Sequence, residues 1–140
     1  MTKRVLALDV GTVRIGIAVS DPTGLIAQPV ENYTRVSRKA DIEHIRELAQ
    51  QYDAGMILSG LPKLLDGSEG EQAAKTRAFT ERVARACELD AVYWDERMTS
   101  IVAESVLIDA GLSRAKRKSA IDKLAATVIL QSWLDAQNRE

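Results

Sequence analysis

Three acidic positions that lie far apart in the 140-residue chain each stand at the boundary of a predicted regular element. Asp9 ends a short apolar strand, the adjacent Asp95 and Glu96 end another, and Asp122 opens the last predicted helix. Hard divalent cations such as Mg²⁺ are held by a few carboxylates together with water and substrate phosphates. If folding brings these carboxylates together, the chain has a centre of the kind that hydrolyses phosphodiesters.

Each acid also has a purely structural interpretation. Asp9 precedes a glycine-containing turn, which its side chain can cap. Asp95 and Glu96 precede a predicted helix start, where negative charge is stabilising without any ligand. Ser119 and Asp122 fit the S-x-x-D capping box, which would place Asp122 in the first helical turn. The metal-site hypothesis therefore depends on the three positions taken together.

Strand alternation and helix packing distinguish the acids from one another. Side chains of adjacent strand residues face opposite ways, so one of Asp95 and Glu96 is expected at a given site. Glu96 is preferred, and Asp95 is kept as a possible additional acid. Asp122 shares a helix face with small and apolar residues, which predicts that this face packs on the sheet. A carboxylate at the end of such a face is costly to bury unless it binds a partner such as a metal cation.

The scarcity of histidine and cysteine limits which kinds of disulfide, metal site and catalytic base the chain can form. His44 and Cys87 are the only residues of their types, so an internal disulfide is excluded and a usual zinc ligand set is not expected. His44 lies among polar neighbours on a predicted helix, and Cys87 lies on a predicted buried stripe. Two-metal hydrolysis needs no histidine base, so the acids alone suffice for it.

One strongly basic segment, 114–118, is predicted to connect the last two helices. Beside Asp122, it is a candidate polyanion-binding surface, and the alternative is a solvated loop of mixed charge. Arg97 has two open roles, neutralising the acid pair or contacting a phosphate, and Thr99 can cap the helix that follows. The candidate nucleic-acid-binding residues are Arg14, Lys63, Arg97, Thr99, Arg114, Lys116, Arg117, Lys118 and Lys123.

Five short segments have the composition of strands: 5–8, 15–19, 25–33, 54–59 and 91–94. The link between the first two is so short that they are predicted to form an antiparallel hairpin. Pro29 predicts that the third strand lies at a sheet edge or is broken.

Four helices are predicted from the three- and four-residue spacing of apolar residues. The first runs from Asp41, and the second follows a capping box formed by Ser68 and Glu71. The third runs from Thr99 or Ser100 to about 110, and the fourth runs from about 120 to 134. The element order predicts an α/β fold with a mixed sheet and helices on its faces.

The size and composition of the chain limit its class. A 15.4-kDa chain with 46% hydrophobic and 28% charged residues is expected to form one globular domain over 1–140. The net charge of -1 means that any attraction to nucleic acid must come from local clusters of cations. No apolar run approaches the length of a membrane span, so a cytoplasmic protein without membrane partners is expected.

Five sequence blocks together resemble the YqgF/RuvX family. They are DVGT at 9–12, RIGIAVSD at 14–21, GLP at 60–62, DERMTS at 95–100 and DKLAA at 122–126. The resemblance spans nearly the whole chain in the family's order. It implies a ribonuclease H-like fold, with a five-stranded mixed sheet flanked by helices on both faces. It also implies a nuclease that processes the 5′ end of precursor 16S rRNA and is related to Holliday junction resolvases.

The resemblance also assigns residues. The family's catalytic acids fall on Asp9, Glu96 and Asp122, with Mg²⁺ or Mn²⁺ as the expected cofactor. Related resolvases place a further acid after the fourth strand, where this chain has Gly60, Leu61 and Pro62. That departure leaves open how a second metal is held.

Three alternatives remain at this stage. One is a resolvase acting on DNA four-way junctions, for which a homodimer is expected because the junction is two-fold symmetric. Another is a non-catalytic RNA-binding factor of ribosome assembly, in which the acids are only caps. The third is nucleotide binding, because the 9–12 block also resembles the first phosphate loop of actin-like ATPases and sugar kinases.

Overall fold

The computed structural model describes residues 3–96 and 113–138, with residues 114–123 described by their backbone only. Within these ranges the strands are β1 (Arg4–Val10), β2 (Arg14–Ser20), β3 (Ala27–Thr34), β4 (Ala54–Leu61) and β5 (Ala91–Asp95). The helices are α1 (Arg38–Gln51), α2 (Glu71–Cys87) and α3 (Arg114–Gln137).

The five strands form one mixed sheet in the order β3-β2-β1-β4-β5. Strands β1 and β2 are antiparallel, as are β2 and β3, whereas β4 is parallel to both β1 and β5. The C-terminal ends of the three parallel strands, at Val10, Leu61 and Asp95, therefore lie along one edge, which we call the carboxyl rim. The predicted hairpin and mixed sheet are confirmed.

Both faces of the sheet are covered by helices, because the central strand is apolar on both sides. Leu6 and Leu8 of β1 point to a core that is closed by α1 and α2. Val5 and Ala7 point the other way, to a core closed by α3 through Ala126, Ile129, Leu130 and Leu134. None of the helices in the described ranges has the length and apolar character needed to cross a bilayer.

The third strand starts two residues later than predicted and lies at the edge of the sheet. Its register with β2 shifts between Ile17, which pairs with Glu31, and Ala18, which pairs with Pro29. Pro29 lacks a backbone donor, so an edge strand with an irregular register accommodates it. The prediction made from Pro29 is confirmed.

Two capping predictions are wrong. Helix α3 begins at Arg114 rather than near 120, because its first residues are strong helix formers, so the basic segment is helical and Ser119 lies inside the helix. The N-cap of α2 is Gly70, and the Ser68 hydroxyl donates to Asp66 Oδ1 at 2.6 Å instead. The helix predicted at 99–110 lies outside the described residues, as do Arg97 and Thr99.

A buried carboxylate joins β3 to α1. Asp41, only 1% exposed, accepts hydrogen bonds from the Tyr33 hydroxyl, Arg35 Nε and Val36 N, each at 2.9 Å. Burial alone would raise the pKa of Asp41, but the hydrogen bonds from Val36, Arg35 and Tyr33 outweigh it, and the pKa lies below its ordinary value. The ionised carboxylate thus fixes the chain where it enters α1.

We predict that Asp41→Asn lowers the free energy of unfolding by about 1–3 kcal/mol at pH 7, because the charge that satisfies these donors is lost. Folding lowers the pKa of Asp41 from its ordinary value of 3.8. The contribution of the carboxylate to the free energy of unfolding is therefore complete above pH 3.8 and is lost as the pH falls through the pKa of the folded state. Urea unfolding at pH 7 and at pH 3 measures this, with the exposed Asp90→Asn as control. An equal deficit at both pH values would contradict the assignment.

Candidate functional site

Asp9 lies at the carboxyl rim on the face of the sheet that α3 covers. It is the next-to-last residue of β1 and pairs with Gly16 of β2. A Cβ atom placed on Gly16 would lie 3.5 Å from both Asp9 Cβ and Ala126 Cβ. Because Gly16 has no side chain, α3 can approach the sheet beside the Asp9 carboxylate.

Glu96 follows β5 directly, and its side chain lies over the neighbouring strand β4. A Cβ atom on Gly60 would be 2.5 Å from Glu96 Oε1 and 2.6 Å from Ile129 Cδ1. The Glu96 carboxylate therefore fills the space that a side chain at position 60 would need. In this chain the acid that follows β5 occupies the place above β4.

The Asp9 and Glu96 side chains form a hydrogen bond with each other. Burial, this hydrogen bond and the charge of Asp9, followed by the charge of Asp95, raise the pKa of Glu96 to about 9. Two half-buried carboxylates in contact cannot both ionise without a cost, so Glu96 retains its proton to a higher pH than usual. A divalent cation could replace that proton, because its charge would offset both carboxylates.

Asp95 faces the other side of the sheet. In β5 the Tyr93 hydroxyl donates to Glu81 of α2 at 2.8 Å, whereas Trp94 packs in the core under α3. Alternation along the strand then puts Asp95 on the α2 side with Tyr93. Of the two adjacent acids, only Glu96 is brought to Asp9, although the charge of Asp95 still acts on it.

Asp122 is placed by the course of the α3 backbone, since its side chain is not described. Ala126 lies over Gly16 near the rim, and Gln131 Oε1 accepts from Ala27 N at 2.9 Å at the other end of β2. The helix thus runs away from the rim, and residues that precede Ala126 extend toward and beyond it. Asp122 is one turn, about 6 Å, before Ala126. Among the described side chains no three acids, histidines or cysteines form a metal-binding group.

The candidate cations are distributed along the same edge. Arg14 is exposed at the start of β2, and Lys63 is half-buried after β4. Five residues lie on the first turns of α3, where only their backbone is described: Arg114, Lys116, Arg117, Lys118 and Lys123. Arg114 precedes Asp122 by eight residues, which is about 12 Å of helix. The basic turns are therefore a helical extension beyond the rim and not a loop.

Sequence reasoning did not identify Gly16 and Gly60 as parts of the site. Both are glycines inside strands, a feature that often marks a close approach by another group. That signal was available, but it does not say which group approaches. Here the approaching groups are Ala126 of α3 and the Glu96 carboxylate.

Comparisons with known proteins identify the family and the fold of this chain. The family model RuvX, described as Holliday junction resolvase, matches residues 3–136. A relative from Thermoanaerobacter pseudethanolicus is 46% identical over 138 residues, which is 98% of this chain and 99% of the relative. One from Clostridium novyi is 45% identical over 133 residues, which is 95% of this chain and 98% of the relative. Both are named as candidate pre-16S rRNA nucleases.

Among solved structures, Thermus thermophilus RuvC in complex with a Holliday junction substrate has a TM-score of 0.65. The two sequences are 12% identical, and the match covers 97% of this chain and 96% of RuvC. At this identity the likeness shows the fold alone, which is the ribonuclease H-like fold expected from the sequence. With the family model matched almost from end to end and curated members nearly half identical in sequence, the chain belongs to the RuvX family.

Proposed function

We propose that this chain is a metal-dependent nuclease whose Asp9, Glu96 and Asp122 carboxylates hold Mg²⁺ or Mn²⁺, and that it processes the 5′ end of precursor 16S rRNA. The observation that carries the proposal is the contact between the half-buried side chains of Asp9 and Glu96 at the carboxyl rim. Two acids in contact lower the stability of the folded protein unless a cation or a proton separates their charges. Ligand sites of open α/β sheets also lie outside the carboxyl ends of their strands.

The residues present fit such a cation. The acids offer only oxygen ligands, which Mg²⁺ and Mn²⁺ prefer, and no histidine or cysteine is among them. Asp9 lies within β1, and Glu96 directly follows β5 with its carboxylate beside Ile129 over Gly60, so little reorganisation is needed to bind an ion. When bound, a divalent cation supplies charge that stabilises the phosphodiester as it is cleaved. The three carboxylates would hold the ion, and they could also orient the attacking water.

The basic turns of α3 support a nucleic-acid substrate. Cations there would neutralise backbone phosphates and release counterions, so affinity should fall steeply with salt. Precursor rRNA is preferred because the relatives at 45–46% identity carry that name. We further propose that residues 1–140 act as one nuclease domain in the cytoplasm.

A second candidate is cleavage of DNA four-way junctions. The description of the matching family model favours it, and it would call for a homodimer because the junction has two-fold symmetry. A non-catalytic assembly factor would instead bind RNA without cutting it. The two substrates and the cleavage readout distinguish these functions.

The decisive experiment is cleavage of a 5′-extended 16S precursor RNA and of a four-way DNA junction in Mn²⁺. We expect Asp9→Asn to lose at least about 100-fold in rate, because a metal ligand and its charge are removed. The exposed Asp90→Asn is the matched control. If the unmodified protein binds RNA in a salt-sensitive way but does not cleave it, the nuclease proposal is wrong. If Asp9→Asn cleaves as fast as the unmodified protein, Asp9 has no part in the mechanism.

Glu96→Gln tests the carboxylate pair through stability. Because folding raises the pKa of Glu96 from 4.5 to about 9, the unmodified protein loses stability as the pH rises between those values. Glutamine removes this loss, so at pH 8 the metal-free variant should be more stable by on the order of 1–3 kcal/mol. Its gain should vanish near pH 4. Thermal unfolding in EDTA and in Mn²⁺ measures both effects, and stabilisation by Mn²⁺ equal to that of the unmodified protein would exclude Glu96 as a ligand.

Gly60→Ala tests the space above β4. The added methyl group would force aside the Glu96 carboxylate and Ile129, which lie 2.5 and 2.6 Å from its position. We expect the cleavage rate to fall about tenfold or more. The free energy of unfolding should fall by about 1–3 kcal/mol. Gly70→Ala, where the nearest atoms lie at 3.4 Å, is the control. RNA affinity should be unchanged in a filter-binding assay, and unimpaired cleavage would show that the position of Glu96 is not critical.

A further inference from the structure

A cavity of about 340 Å³ lies on the face of the sheet opposite Asp9. It is formed where the end of β1 meets the start of α1 and one face of α2. Its lining residues are Val10, Gly11, Thr12, Arg35, Arg38, Gln72, Lys75, Thr76, Ala78, Phe79 and Arg82. The cavity therefore opens at the same carboxyl rim as the acids, but on the side of α1 and α2.

The charge of the lining is strongly positive. Four of the lining residues are cations, namely Arg35, Arg38, Lys75 and Arg82. No lining residue is an acid. Arg38 and Arg82 have no hydrogen bond or ion pair within the described part of the chain. Lys75 has only an exposed ion pair with Glu71 at 3.6 Å, and such pairs are weak. An anion in the cavity would therefore meet positive charge that is not already neutralised.

Arg35 is the most rigid of the four cations. Its Nε donates to Asp41 at 2.9 Å, its Nη1 donates to the Gly11 carbonyl at 3.0 Å, and its guanidinium stacks 4.7 Å from the Phe79 ring centroid. These contacts leave Nη2 without a partner among the described residues. A guanidinium fixed in this way is organised in advance to donate to a phosphate oxygen.

Thr76 provides an independent observation about the cavity. Its side chain is 1% exposed, and its hydroxyl has no hydrogen-bond partner among the described residues. A buried hydroxyl without a partner is destabilising, and most such groups in native proteins are satisfied. A phosphate oxygen in the cavity would accept this hydrogen bond.

We propose that the cavity binds a phosphate monoester, carried by the terminal nucleotide of a nucleic-acid strand. A monoester near pH 7 carries almost two charges. Even with Arg35 paired to Asp41 and Lys75 paired to Glu71, Arg38 and Arg82 remain to match them, which suits a monoester better than the single charge of a backbone diester. The volume is at the small end of ligand pockets, about 300–1,000 Å³, which suits one terminal nucleotide. Phe79, Ala78 and Val10 offer apolar contacts for the rest of the nucleotide.

The position of the cavity explains why a strand end is the preferred source of the phosphate. Val10 lines the cavity, and its chain neighbour Asp9 belongs to the acid pair on the other face. A strand that crosses the carboxyl rim would place its end in the cavity and an internal phosphodiester near the acids. Phosphate binding stands independently of the proposed nuclease function, whereas the assignment to a strand end rests on it.

The test compares the double variant Arg38→Gln/Arg82→Gln with the control Lys39→Gln/Arg85→Gln, which makes the same change in net charge at exposed positions outside the cavity. Both pairs are made in the Asp9→Asn background in EDTA, so the result does not depend on cleavage. Isothermal titration uses AMP, inorganic phosphate and adenosine. We expect AMP and phosphate to bind the control and to bind the double variant at least tenfold more weakly, with no binding of adenosine.

A second arm distinguishes the sources of the phosphate. A short RNA is titrated with a phosphate at its 5′ end, at its 3′ end or at neither end. Tighter binding of one phosphorylated form to the control, lost in the double variant, supports the strand end. If AMP binds but the three RNAs bind equally, the site takes free nucleotides and the strand-end assignment is overturned. Equal phosphate affinity in the double variant and the control, or no binding to either, overturns the site itself.

Thr76→Val separates a ligand-binding role from a structural one. Valine keeps the shape of threonine but removes the hydroxyl, so the folded protein should be at least as stable in thermal unfolding. AMP affinity should nevertheless fall several-fold. Unchanged AMP affinity in this variant would remove Thr76 from the site.

Discussion

The contact between Asp9 and Glu96 constrains the centre of this protein, because the two acids come from strands that are not neighbours. Strand β4 lies between β1 and β5, and adjacent strands are about 4.8 Å apart. The carboxylates can meet only by passing over β4, at the position of Gly60. Any side chain there would occupy the volume of the Glu96 carboxylate. A glycine on the middle strand is thus a condition for the acid pair.

Helix α3 depends on the same constraint. Ile129 packs over Gly60 and Ala126 over Gly16, so the helix lies close to the sheet next to both acids. Gln131 fixes its further course by bonding to β3 through Ala27. Once these contacts are set, the first turns of the helix can only extend beyond the carboxyl rim. The position of Asp122 and of the basic turns therefore follows from packing several residues later in the helix.

Much of this arrangement was predictable from local sequence patterns. The apolar run before Asp9, the short turn of the hairpin and the edge position of Pro29 each depend on a few neighbouring residues. Strand alternation predicted that only one of Asp95 and Glu96 faces the site, and Glu96 is the one whose side chain lies beside Asp9. Arg114 was wrongly placed before the last helix, because capping residues at Ser119 and Asp122 outweighed the helix propensity of the basic segment in the prediction.

Features that depend on distant contacts were not predictable in this way. The role of Gly60 depends on the side chain of Glu96, which lies 36 positions later in the chain. The cationic cavity joins Arg35 and Arg38 to Arg82 on another helix, and no short pattern links them. Asp41 has the appearance of an ordinary acid in a first helical turn, and its burial follows from the three donors that surround it.

The separation of charges by the sheet has a physical consequence for the proposed activity. If Arg35 lay beside Asp9, its guanidinium would neutralise the acid and compete with a metal ion for the same oxygens. Instead, Arg35 is held by Asp41 on the opposite face, and the cavity cations lie there with it. No cation of the cavity therefore pairs with Asp9 or Glu96, which favours the binding of an exchangeable metal ion there. The cavity cations, in turn, remain available to a phosphate. Alternation of side chains at the end of β1 is sufficient to produce this division, since Asp9 and Val10 point to opposite faces.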